Sequence, residues 1–92
     1  MEVLVLASGS SGNSVLVRSG ETSVLVDIGV SALQIKKRLE CFGCSPSDVD
    51  AIFLTHEHSD HIRGLEVFLR RHHEAPVWTT RGTWSRVPVK TR

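Results

Sequence analysis

A chain of 92 residues with 40% hydrophobic side chains can bury one modest core and is too short for several independent domains. Eleven basic against ten acidic side chains leave a formal charge of +1, so no global field selects a nucleic acid or a membrane, and any such preference has to be local. No apolar run approaches a membrane span, and Met1 leads into strand-like alternation rather than a charged segment and a signal-peptide core, so a cytoplasmic protein with no membrane partner is expected.

The first third reads as β structure. Val3–Leu6 and Val15–Val17 are runs of β-formers flanking Ser8-Gly9-Ser10-Ser11-Gly12-Asn13-Ser14, and Thr22–Val26 follows after Ser19-Gly20, so consecutive antiparallel strands are expected. Small residues let backbone N–H groups approach an anion, but the segment lacks the lysine of a P-loop. Glycine and serine are ordinary turn formers, and a hairpin loop is the reading adopted, with Ser10 and Asn13 as its candidates for substrate contact.

Ser31 and Gln34 have the spacing of a capping box, Val30 and Ile35 that of a hydrophobic staple, and Gly43 is a C-terminal stop. They delimit a helix from about Ala32 to Phe42 with Ile35, Leu39 and Phe42 as its buried stripe. Cys41 and Cys44 have C-x-x-C spacing, yet one pair supplies only half of a zinc ligand set and no second pair exists, so two reduced thiols are expected. Ser45-Pro46-Ser47-Asp48 has proline in the first position of a short helical turn.

Ala51–Thr55 is short and rich in β-formers, a buried strand that ends where the histidines begin. His56-Glu57-His58-Ser59-Asp60-His61 then packs four potential metal ligands, His56, His58, Asp60 and His61, into six residues. Ile62, Leu65, Phe68 and Leu69 have the spacing of an amphipathic helix, with Ser59 placed to cap it and Asp60 in its first turn. Gly64 lowers helix propensity there but permits close approach to a neighbouring element. On an extended segment His56 and His58 point to one side, while Asp60 and His61 turn toward a neighbouring point, a geometry that fits two adjacent metal positions. Imidazole and carboxylate together suit zinc, the first choice, and equally manganese or iron. Trp78 and Trp84 are read as packing residues.

The segment from Thr55 to His61 resembles the His-x-His-x-Asp-His signature of the metallo-β-lactamase superfamily. Val24-Leu25-Val26-Asp27-Ile28-Gly29 resembles the family strand that ends in an acid supporting the metal loop. The Ser8–Ser14 segment and Pro76–Trp84 are more similar to the YycJ-like bacterial branch than to antibiotic-hydrolysing lactamases. The resemblance implies an α/β fold: the N-terminal half of a four-layer αββα sandwich, mainly antiparallel strands with helices on one face. It implies that His56 and His58 bind one metal ion and Asp60 and His61 a second, with Asp60 also counted as catalytic and Asp27 behind the ligands. It further implies a metal-dependent hydrolase, phosphodiesterase or nuclease-like, acting on a phosphodiester or nucleic acid.

The resemblance covers residues 1–84 as part of one domain and leaves 85–92 as an unassigned basic tail. Three further family ligands, a His, a bridging Asp and a final His, have no assignable position, and a two-sheet sandwich needs roughly twice this length. The chain therefore has the look of a truncation. A complete site would work through a metal-bound hydroxide, with two ions about 3.5 to 4 Å apart activating water and polarising a phosphoryl oxygen. The alternative is a catalytically incomplete fragment, at most a metal-binding or partner-binding module, whose uncovered sheet would self-associate.

Overall fold

The computed structural model describes residues 1–10, 12–56, 62–71 and 75–86. Its strands are β1 Glu2–Ala7, β2 Ser14–Ser19, β3 Thr22–Val26, β4 Ala51–Phe53 and β5 Val77–Trp78, and its helices are α1 Ala32–Cys41, α2 Leu65–Arg71 and α3 Arg81–Arg86. The strands lie in chain order in one sheet, with β1-β2-β3 antiparallel and β3-β4-β5 parallel. Short turns can only reverse the chain, so they give the antiparallel part; parallel neighbours need crossovers, which α1 and α2 supply. Both crossovers advance the sheet in the same direction, and the usual right-handedness sets both helices on one face.

Strand register explains the core. Leu4, Leu16, Leu25, Ile52 and Val77 align across the five strands on the helix-covered face, and Leu16, Leu25 and Ile52 are fully buried. Ile35 and Leu39 of α1 and Leu65 and Phe68 of α2 complete this cluster, all fully buried. One residue out of phase, Val5, Val15, Val26, Phe53 and Trp78 align on the other face. There Val5 is 61% exposed and Trp78 58%, so the second face of the sheet is apolar and bare, as expected of half of a two-sheet sandwich. Phe53 and Trp78 lean together on it, ring centroids 6.4 Å apart. Trp84 packs against the core as expected, whereas Trp78 belongs to the open face because it shares the phase of Phe53.

Ser31 caps α1, its hydroxyl accepting from the Gln34 amide at 3.3 Å, which is one half of the expected capping box; the Gln34 side chain instead borders a surface cavity with Arg38. At the other end the Cys44 amide donates to the Leu39 carbonyl and the Gly43 amide to Glu40, with Gly43 at φ 71°, a Schellman motif. Phe42 is a correction: expected in the buried stripe, it is 39% exposed, because as the C-cap it has left the helical path, and its carbonyl accepts from Arg18 Nη1 at 2.7 Å. The turn at Pro46–Asp48 has a full capping box, and the Ser45 amide and hydroxyl hold the Asp48 carboxyl below the usual carboxylate range.

Gly64 is where close approach is required. A methyl group there would run into the Val30 carbonyl oxygen and lie 2.9 Å from Ile28 Cγ2. Its amide donates to the Ile28 carbonyl at 2.9 Å, and its own carbonyl accepts the first helical bond from Phe68. Gly64 thus starts α2 and presses it onto the loop after β3. The capping expected of Ser59 lies outside the described residues.

Candidate metal centre

The pairings place Ala7, Ser14, Val26, Phe53 and Trp78 at the same end of the sheet. Hydrogen bonds link the loops that leave that end to one another, and those after β3 and β5 reach the residues where β4 passes into the histidine-rich segment. The Ser8–Asn13 loop is closed on itself: the Gly9 amide donates to Asn13 Oδ1 at 3.2 Å and Asn13 Nδ2 donates to the Gly9 carbonyl at 3.0 Å. The hairpin reading holds, and the Asn13 side chain serves the loop. The Asn13 carbonyl also accepts from the Gly29 amide at 2.9 Å, which ties this hairpin to the loop after β3.

Asp27 is buried, 5% exposed, with a left-handed backbone at φ 64° that aspartate tolerates better than most residues. Its amide continues the ladder to the Phe53 carbonyl at 2.8 Å, and its carbonyl accepts from Ser14 Oγ at 2.8 Å. Its carboxylate therefore faces the residues following β4. Oδ1 accepts from the Thr55 amide at 2.8 Å and Oδ2 from the Thr55 hydroxyl at 2.6 Å. On the opposite flank the Leu54 amide donates to the Trp78 carbonyl and Thr79 Oγ1 to the Leu54 carbonyl, both at 3.0 Å. The segment from Leu54 to Thr55, which leads into the histidines, is thus held from both neighbouring strands.

This frame orients His56. Thr55 Oγ1 lies 3.0 Å from His56 Nδ1. A hydroxyl has one proton, and a carboxylate only accepts. The Thr55 proton goes to Asp27, so the hydroxyl can only accept from the imidazole, and hydrogen-bond accounting assigns the His56 proton to Nδ1. In a neutral imidazole of that tautomer Nε2 carries the lone pair. Metal-binding histidines are commonly oriented by donating the other ring N–H to an oxygen acceptor, usually a carboxylate, a carbonyl or water, and here the Thr55 hydroxyl backed by Asp27 takes that place. The exposed His56 side chain and the imidazole–carboxylate donor set of the motif fit a borderline divalent metal such as zinc.

Of the residues singled out from sequence, Asp27 and His56 come together through Thr55. His58, Asp60 and His61 lie outside the described residues. Thr55 had no role assigned from sequence; its signal was a hydroxyl directly before the first histidine, at a strand end facing Asp27. Cys41 is exposed and Cys44 buried, and both are free thiols.

Residues 7–81 match the family model of the metallo-beta-lactamase superfamily. The chain is 44% identical over 80 residues to the exodeoxyribonuclease WalJ of Streptococcus pneumoniae, covering 87% of this chain and 29% of that protein. It is 43% identical over 81 residues to the exodeoxyribonuclease YycJ of Bacillus anthracis, covering 88% and 30%. The chain thus spans less than a third of the length of these relatives. Among solved structures, a Cronobacter sakazakii metallo-β-lactamase superposes with a TM-score of 0.78 at 22% identity, covering 91% of this chain and 30% of that one. The Rm3 metallo-β-lactamase superposes with a TM-score of 0.69 at 33% identity, covering 82% and 29%. From strand register, Asp27 position and sequence match together, the chain belongs to the metallo-β-lactamase superfamily.

Proposed function

We propose that this chain carries the first metal-binding segment of a metal-dependent nuclease-like hydrolase that cleaves phosphodiesters. The observation that carries the reading is the Asp27–Thr55–His56 hydrogen-bond chain, which holds the first histidine of the ligand motif through its Nδ1. The nucleic-acid substrate is supported by the relatives, which include exodeoxyribonucleases of Streptococcus pneumoniae and Bacillus anthracis and a ribonuclease of Thermus thermophilus.

His56 and His58 are assigned to one metal ion and Asp60 and His61 to a second, with zinc as the first choice and manganese or iron as alternatives. When bound, such a pair lowers the pKa of water and offsets charge on the phosphoryl oxygens. Asp27 keeps Thr55 fixed, Thr55 keeps the His56 proton on Nδ1, and the ladder bonds at Leu54 hold the whole segment against the sheet. No side chain of the chain is needed as nucleophile. Asp60 is the proposed catalytic carboxylate. No described helix is long and apolar enough to cross a membrane, and a cytoplasmic setting is part of the proposal.

The test is metal-dependent release of nucleotides from an end-labelled DNA oligonucleotide. Hydrolysis that disappears with EDTA and in His58→Ala and Asp60→Ala is expected; equal hydrolysis in those variants would overturn the site. A second reading, a noncatalytic metal-binding or partner-binding module, is favoured by the bare sheet face carrying Val3, Val5, Phe53 and Trp78.

A further inference from the structure

A net charge of +1 conceals a strong local asymmetry. Away from the ligand-bearing end, a cavity of about 340 Å³ is bordered, among the described residues, by Glu21, Asp48 and Asp50 and by the guanidinium of Arg18. Near that end, a cavity of about 350 Å³ is bordered by Ser8, Gly12, Val30, Gln34, Arg38 and Arg63, with no carboxylate among the described residues that line it. A polyanion is repelled by the first and attracted by the second.

We propose that the Arg38–Arg63 cavity binds a backbone phosphate of a nucleic-acid strand whose neighbouring phosphodiester lies toward His56. Arg38 is anchored, its Nη1 donating to the Leu6 carbonyl at the end of β1, and a guanidinium has further N–H donors to offer. Arg63 follows His61 by two residues and is exposed. It has no hydrogen bond or ion pair to any described residue. Its backbone is placed by Gly64, whose amide bond to Ile28 and contact with Val30 seat this turn directly against the cavity wall. Gln34, one turn before Arg38 on α1, adds an amide that can donate to a phosphate oxygen. Two guanidinium groups facing one polar cavity match the forked geometry that favours arginine for phosphate recognition. At about 350 Å³ the space lies within the range of small-ligand sites, so a phosphate and part of its nucleotide fit.

This inference rests on the nuclease reading but is tested apart from turnover. The anisotropy of a fluorescent single-stranded DNA oligonucleotide is titrated with the protein in EDTA, across a salt series, for the wild type, Arg63→Gln and Arg63→Lys. Arg63 is exposed, so its replacement leaves the fold intact. Expected are salt-dependent binding by the wild type, several-fold weaker binding by Arg63→Gln with a salt slope lower by about 0.7, and a slope kept by Arg63→Lys. Identical affinity and slope in Arg63→Gln, or no binding by the wild type at low salt, would overturn the subsite. Displacement of the strand by inorganic phosphate beyond its effect on ionic strength would make free phosphate the occupant and overturn the strand assignment. Failure of hydrolysis with the binding differences intact would instead strike the nuclease reading alone.

Discussion

The Asp27 carboxylate accepts twice from Thr55, at 2.8 Å from the amide and 2.6 Å from the hydroxyl, and so joins the end of β3 to the end of β4. The same hydroxyl faces His56 Nδ1 at 3.0 Å, so one side chain carries both the link between strands and the orientation of the first histidine.

Thr55→Val keeps the shape and removes that hydroxyl. A buried carboxylate oxygen loses the Thr55 hydroxyl bond, and about 1 to 3 kcal/mol of stability is expected to go with it. Zinc affinity is expected to fall about 10- to 100-fold, because the imidazole is no longer held in one tautomer. Urea melts and competition with a chelating dye measure the two effects, and Thr55→Ser should restore most of both.

Two glycines, Gly64 in the turn before α2 and Gly82 within α3, should respond to alanine with opposite signs. At Gly64 an added methyl meets the Val30 backbone, which cannot yield as a flexible side chain would, so Gly64→Ala should cost about 1 to 3 kcal/mol. At Gly82, inside α3, a methyl meets nothing within 4 Å, and Gly82→Ala should stabilise by up to about 1 kcal/mol. Thermal melts of both variants check the contrast.

The two thiols should react at very different rates. Cys41 is exposed, while burial pushes the Cys44 thiol up from its ordinary pKa. Iodoacetamide at neutral pH should modify Cys41 first, with Cys44 following only as the chain opens. Because the folded pKa of Cys44 is raised, the stability tied to its neutral form is present below the unfolded thiol pKa and is lost as pH rises through the folded value. Mass spectrometry of a timed reaction resolves the order.

The bare sheet face should drive association of the isolated chain. Val5 and Trp78 sit in one register row on that face, and replacing both with lysine should shift the protein toward monomer in sedimentation. The helix-covered face is untouched by these changes.

Periodicity and punctuation made much of the fold legible. The Ser31 cap, the Gly43 stop and the alternation of Leu4, Leu16 and Leu25 are local signals, and the structure follows them. The parallel pairing of β4 and β5 is not local, since it depends on where crossover helices return the chain. Phe42 misled because hydrophobic spacing says nothing about whether the last residue still follows the helix. At the site, Asp27 and His56 were legible as residue types in a motif. Thr55 was not, because its role exists only once two strand ends 28 residues apart are paired.

Metal content per chain, by elemental analysis after dialysis, tests the central claim most directly, with the wild type and His56→Ala side by side. Metal retained in a fixed ratio to protein by the wild type and lost from His56→Ala is the predicted result. Equal retention by both, or none by the wild type, would contradict the assignment of the Asp27–Thr55–His56 chain to a metal centre.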